Sequence, residues 1–153
     1  MKKKYIKNEE DFVGRDGIYG RDGKEGPPGP KWIPEYSQYY STVSKIYYAD
    51  EYLDLSINAF TVGTFISPIG TTQFTITPGL YQVNFRVEMS GIFTIVFDTN
   101  GDYLLANALI SGAGVNVLNI SFLYAAPILT TIGLKLISQG TVTYAELTLI
   151  KLG

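Results

Sequence analysis

The stretch Phe74-Thr75-Ile76-Thr77-Pro78-Gly79-Leu80-Tyr81-Gln82-Val83-Asn84-Phe85-Arg86-Val87-Glu88-Met89 decides the fold. Tyr81, Val83, Phe85, Val87 and Met89 alternate with Gln82, Asn84, Arg86 and Glu88, the two-residue period of a half-buried antiparallel strand. The run Thr72–Thr77 alternates as well and stops at Pro78-Gly79, a turn signal. Downstream, Ile92–Phe97 leads into Asp98-Thr99-Asn100-Gly101-Asp102, where the Asn-Gly pair marks a tight hairpin. Tyr103–Ile110, Val115–Tyr124, Ile132–Ser138 and Thr141–Leu152 supply further strands, separated by turns at Ser111-Gly112-Ala113-Gly114 and Gln139-Gly140. From about Thr42 onward the chain reads as strand, and no segment sustains a helical period. Many short strands at this spacing predict an all-β sandwich or barrel.

The late strands do not alternate cleanly. Tyr144, Ala145, Leu147, Leu149, Ile150 and Leu152 put apolar groups on both faces, and so do Leu118, Ile120, Phe122 and Leu123. A strand with one solvated face carries polar residues there. Apolar groups on both faces predict that one side packs the core and the other a neighbouring subunit. The trimer-interface candidates are Leu118, Ile120, Phe122, Tyr144, Ile150 and Leu152. At about 25 cal/mol per Å² of buried apolar area, a few such residues hold a trimer firmly.

An independent pattern points to three copies. Glycine recurs every third residue at Gly14, Gly17, Gly20, Gly23, Gly26 and Gly29, the spacing of a collagen triple helix, whose crowded axis admits only Gly. A flexible Gly-rich linker has no such period. About 18 residues at roughly 3 Å each give a stalk of some 50–55 Å. Pro27, Pro28 and Pro30 sit at the end nearest the strands, so the stalk is expected to zip outward from a trimeric head and to fray distally.

Residues 1–13 form a charged, flexible arm with Tyr5, Ile6, Phe12 and Val13 as apolar anchors for docking on another trimer. Residues 32–41 read as a Tyr-rich connector. Tyr36, Tyr39, Tyr40, Tyr47, Tyr48 and Tyr52 are half of the twelve tyrosines, and they suit either an interface or the base of their own head. The expected organisation is arm 1–13, collagen-like segment 14–31, connector 32–41 and β head 42–153.

Composition excludes several functions. Residues 1–31 hold eight Lys/Arg and six Asp/Glu, and the remaining 122 hold four and eight, so the head lacks the basic patch that nucleic acid needs. There is no Cys and no His, which removes disulfides, thiolate chemistry and the Ser-His and Cys-His catalytic pairs. We expect no catalytic residues, no metal and no cofactor. Met1-Lys2-Lys3-Lys4 is followed by polar residues, so no secretion signal is expected, and no apolar run is long enough for a spanning helix.

Three local patterns have plainer readings. Asp98, Asn100 and Asp102 faintly echo a calcium loop, but Tyr103-Leu104-Leu105 follows where further ligands belong, so the hairpin turn is preferred. Asn119-Ile120-Ser121 matches a glycosylation acceptor inside an apolar strand, where a sugar does not fit. Asp50, Glu51 and Asp54 read as solvated surface charge.

Taken together, Phe74-Thr75-Ile76-Thr77-Pro78-Gly79-Leu80-Tyr81-Gln82-Val83, the Asn100-Gly101 hairpin and the closing Ala145-Glu146-Leu147-Thr148-Leu149-Ile150-Lys151-Leu152 resemble a known family. It is the TNF-like jelly-roll heads of complement-type collagens and of BclA-type exosporium proteins of spore-forming bacteria. The resemblance covers roughly residues 42–153, with the Gly triplets upstream. It implies a homotrimer with the closing strands near the threefold axis, displayed on a spore or cell surface. Two departures stand out: the triplets are few, charged and free of Ser and Thr, and a proline-rich exosporium leader is missing. They favour a compact building block over a glycosylated hair-like filament. The leading expectation is therefore a filament subunit whose trimers join head-to-tail through the arm, with an anchoring or tip protein bearing a related head as a further partner. The alternative is a receptor-binding tip or adhesin of the phage tail-fibre kind, with a ligand groove on the head.

Overall fold

The computed structural model describes residues 26–27, 33–91, 93–110 and 114–153, apart from the side chains of 104–110. The arm 1–13, its anchors Tyr5, Ile6, Phe12 and Val13, and five of the six triplet glycines (Gly14, Gly17, Gly20, Gly23 and Gly29) lie outside these residues. Gly26 lies within them and is exposed.

Pro34–Gly153 forms the head. Its strands are β1 (Glu35–Ser41), β2 (Lys45–Tyr47), β3 (Glu51–Tyr52), β4 (Ile57–Val62), β5 (Ile66–Ile69) and β6 (Gln73–Ile76). Next come β7 (Gly79–Ser90), β8 (Phe93–Thr99), β9 (Asp102–Ile110), β10 (Val115–Ala126), β11 (Thr130–Leu136) and β12 (Gly140–Lys151). Two antiparallel sheets face each other. The first runs β9-β8-β11-β6-β5 with β3 added to β11, and the second β10-β7-β12-β1-β4 with β2 added to β12.

The two-residue period places the core. From the second sheet Tyr81, Val83, Phe85, Val87 and Met89 point inward, opposed by Phe93, Ile95 and Phe97, and by Ile132, Leu134 and Leu136, of the first. Aromatic rings join the layers: Tyr39 meets Phe74 at 4.4 Å between centroids, and Phe65 meets Tyr81 at 5.7 Å. The Asn100-Gly101 pair takes positive φ at both positions (53° and 90°), which the β8–β9 hairpin requires. The chain end closes the second sheet: Leu80 N–H donates to the Gly153 carbonyl at 2.9 Å, and Leu152 N–H to the Leu80 carbonyl at 2.7 Å. That closure needs glycine at position 79, where a Cβ would lie 2.5 Å from the Gly153 oxygen.

One expectation changes here. Residues 35–41, read as connector, are strand β1, in register with β12 from Ser41↔Ala145 to Lys151↔Glu35. The period was hidden because two of the three inward positions are serines. Ser37, fully buried, bonds the Thr61 hydroxyl at 2.7 Å and the Phe60 carbonyl at 3.2 Å, while Tyr39 enters the core. A satisfied hydroxyl is buried at little cost, so the sheet accepts a polar strand. The head thus begins at Pro34.

Candidate functional site

The outward face of the second sheet is the surface that the fold leaves unexplained. Its side chains form rows across the strands. Near the chain's entry into the head, Leu123, Gln82, Ile150, Tyr36 and Val62 lie side by side, with Leu80 and Leu152 just beyond. The next row is Ser121, Asn84, Thr148, Gln38 and Phe60, and then Asn119, Arg86, Glu146, Tyr40 and Ile57. Toward the far end come Val117, Glu88 and Tyr144, followed by Val115, Ser90, Thr141 and Ile46.

Apolar side chains frame this face. Leu123 is 63% exposed, and Val115, Val117, Leu80, Ile57, Phe60, Val62 and Tyr36 are exposed as well. Tyr36 and Phe60 meet edge-on at 5.4 Å. Single exposed hydrophobics are ordinary, but here they gather on one face, on the two strands to each side of β12.

The centre is polar and largely self-satisfied. Gln38 Nε2 donates to Glu146 Oε2 at 2.9 Å and to Thr148 Oγ1 at 3.1 Å. The Tyr144 hydroxyl donates to Glu146 Oε1 at 2.6 Å. Arg86 pairs with Glu88 at 2.7 Å and lies 5.6 Å from the Tyr144 ring centre. Burial, and then the bond to Glu146, push the Tyr144 phenol up to about 12, with Arg86 pulling the other way. A network already paired within one chain can be covered without stranding a donor or a charge.

The sequence-derived candidates divide between the two faces. Tyr144, Ile150 and Leu152 lie half-buried on the outward face. Leu118, Ile120 and Phe122 do not: they point into their own core, with the Phe122 ring 5.2 Å from Phe97 and 6.5 Å from Phe85. β10 alternates strictly, and its outward apolar residues are Val115, Val117 and Leu123. The core took the even positions because Leu118-Ile120-Phe122-Tyr124 is the unbroken apolar set, whereas Asn119 and Ser121 interrupt the odd one.

A second polar cluster lies on the outer face of the other sheet. Asp98 is 1% exposed; one oxygen accepts the Tyr52 hydroxyl and the other has no protein partner. Tyr52 reaches it by lying across Gly133, the residue beside Asp98 on β11, where a Cβ would be 2.9 Å from the ring. Lys135 holds its ammonium 4.9 Å from the Tyr52 ring centre and 5.6 Å from that of Tyr103. Burial and the Asp98 bond push the Tyr52 phenol up to about 12. The faint calcium pattern has no shared centre, since Asn100 Oδ1 instead accepts the Thr131 N–H at 2.8 Å. Among the described residues, no group of three acidic side chains could hold a metal, and no helix is long and apolar enough to cross a membrane.

These two phenols give a pH test. Their folded values lie above the ordinary 10, so the fold favours the neutral forms; that stabilisation is complete below about pH 10 and is lost as pH rises toward 12. In an ultraviolet phenolate titration, Tyr52 and Tyr144 should ionise near pH 12 while the protein stays folded, with Tyr47 and Tyr81 also raised by burial. Tyr52→Phe and Tyr144→Phe should each remove one of these ionisations; an unchanged late phase in either variant contradicts the assignment.

No family model matches the chain, and no curated protein matches it by sequence. Solved structures do. The globular domain of the zebrafish complement 1qA protein is 10% identical with a TM-score of 0.67, over 78% of this chain and 98% of that one. Eiger TNF from S. frugiperda is 12% identical with a TM-score of 0.63, over 79% and 92%. Murine APRIL is 11% identical with a TM-score of 0.62, over 78% and 100%. Sequence identity this low speaks to architecture alone, and the architecture is plain: the head is an all-β jelly roll of the complement C1q and TNF type.

Proposed function

We propose that the chain is a non-enzymatic structural subunit that trimerises through the outward face of the second sheet, with β12 toward the threefold axis. The observation that carries this reading is the apolar frame of Leu123, Val117, Ile150, Leu152, Tyr36, Phe60 and Val62 around a polar centre satisfied within each chain. A lone copy leaves these groups in water, and three copies remove them. The glycine triplets at 14–29 support the same number, because a collagen helix needs three chains.

Trimers join head-to-tail through arm 1–13 into filaments on a spore or cell surface, and a partner with a related head anchors or tips them. A contact between two different surfaces of one trimer does not close on itself, so it propagates. The short, unglycosylatable triplets suit a repeating block better than a long hair. Deleting residues 1–13 should leave soluble trimers by light scattering and abolish filaments in negative-stain micrographs. Filaments of normal length from the truncated chain would exclude the arm as the joint.

A further inference from the structure

We infer that the end of the head opposite its entry point is the receiving surface for residues 2–7 of the next trimer's arm. This rests on the head-to-tail reading above and names the other half of its joint.

The far end is defined by register. Ile46 pairs with Thr141, which pairs with Ser90, at the extremity of β12 opposite Lys151 and Glu35. Asp50 is fixed beside it by its N–H to the Leu136 carbonyl at 2.7 Å, and Glu51 by its pairing with Leu136. Here Val43, Ile46 and Tyr48 are each more than half exposed, Ile46 at the end of the last row of the outward face. Asp50 and Glu51 stand exposed among them. Glu51 Oε1 also accepts the Tyr48 N–H at 3.2 Å, and Asp50 has φ of 68°, so the turn that presents both carboxylates is shaped by its own bonds. The neighbouring cations are engaged on rings: Lys45 is 4.7 Å from the Tyr47 centroid and Lys135 4.9 Å from that of Tyr52. Neither forms an ion pair with Asp50 or Glu51.

The surface is thus apolar, with two exposed carboxylates, Asp50 and Glu51, that form no ion pair among the described residues. The chain holds its complement in Lys2-Lys3-Lys4-Tyr5-Ile6-Lys7: four cations, no acid, and two adjacent apolar residues. Tyr5 and Ile6 would cover Val43, Ile46 and Tyr48 while the lysines meet Asp50 and Glu51. Charge steers the encounter. Three arms meeting three such ends turn a weak single contact into a durable joint.

Photo-crosslinking on the full-length chain tests this. With p-benzoylphenylalanine in place of Tyr5, crosslinks should map to residues 43–51 of another chain. Crosslinks confined to the exposed edge strand β4 (Ile57–Val62), to any other region, or absent altogether overturn the proposal. The outcomes are separable from those of the filament reading. Filaments with crosslinks elsewhere sink the surface alone, and crosslinks at 43–51 without filaments sink the reading alone. Charge reversal gives a second arm to the test. D50K/E51K should keep trimers and shorten filaments at least about tenfold, and adding K2E/K3E/K4E should restore them. Unshortened filaments in D50K/E51K, or no recovery in the fivefold variant, count against the assignment.

Discussion

Replacing Phe97 with Ala is expected to cost the head about 3–5 kcal/mol, the usual penalty for deleting a fully buried aromatic ring. Phe97 is wholly inaccessible, and its ring meets Phe122 at 5.2 Å and Tyr124 at 5.9 Å, both edge-on. It therefore joins the first sheet to β10, the strand at the margin of the second. Deletion leaves a cavity with aromatic walls and removes the contact that holds Phe122 and Tyr124 inward. A domain of this size has roughly 5–15 kcal/mol in hand, so the variant should unfold at much lower denaturant and release β10 first. Urea titration followed by tyrosine fluorescence measures the loss. A change below about 1 kcal/mol would mean that β10 is not held through this ring.

The second large effect is on assembly. Leu123→Arg should leave each head folded and break the trimer into single chains. Leu123 faces outward and is largely exposed in one chain, so arginine there meets water in the monomer and is desolvated only in the interface. Charging a residue that the interface desolvates costs about 2 kcal/mol or more, and a trimer suffers it at three contacts. Size-exclusion chromatography with light scattering reports the mass. The neighbouring Phe122→Arg should do the opposite and fail to fold, because that side chain points into the core. If both variants stay trimeric, or if both unfold, the division of β10 into an inner and an outer face is wrong.

That pair of neighbours also shows what the sequence could and could not tell. The long strands were legible because their inward positions are uniformly apolar, as in Tyr81 through Met89 and in Leu147 and Leu149. The hairpin at Asn100-Gly101 was legible because two consecutive residues there need positive φ. Strand β1 was not, since Ser37 and Ser41 are polar groups whose burial depends on partners that are distant in sequence or are backbone donors, such as Thr61 for Ser37. The apolar residues on both faces of β10 suggested an interface, but the ones named for it, Leu118, Ile120 and Phe122, face the core. The even set could have been chosen from its continuity alone. Phe60, Val62 and Leu80 lie on the outward face only because β1, β4, β7 and β12 align in register, which no single segment encodes. Tyr52 was likewise beyond sequence reasoning, because its ring covers Asp98 only where Gly133 leaves room.

Self-association of the outward face is tested most directly by sedimentation equilibrium of the purified, arm-deleted protein at low micromolar concentration. A single species near three times the chain mass, independent of loading concentration, is the expected result. A monodisperse particle of one chain's mass would mean that the apolar face stays in water, and would contradict the trimer and the filament built from it.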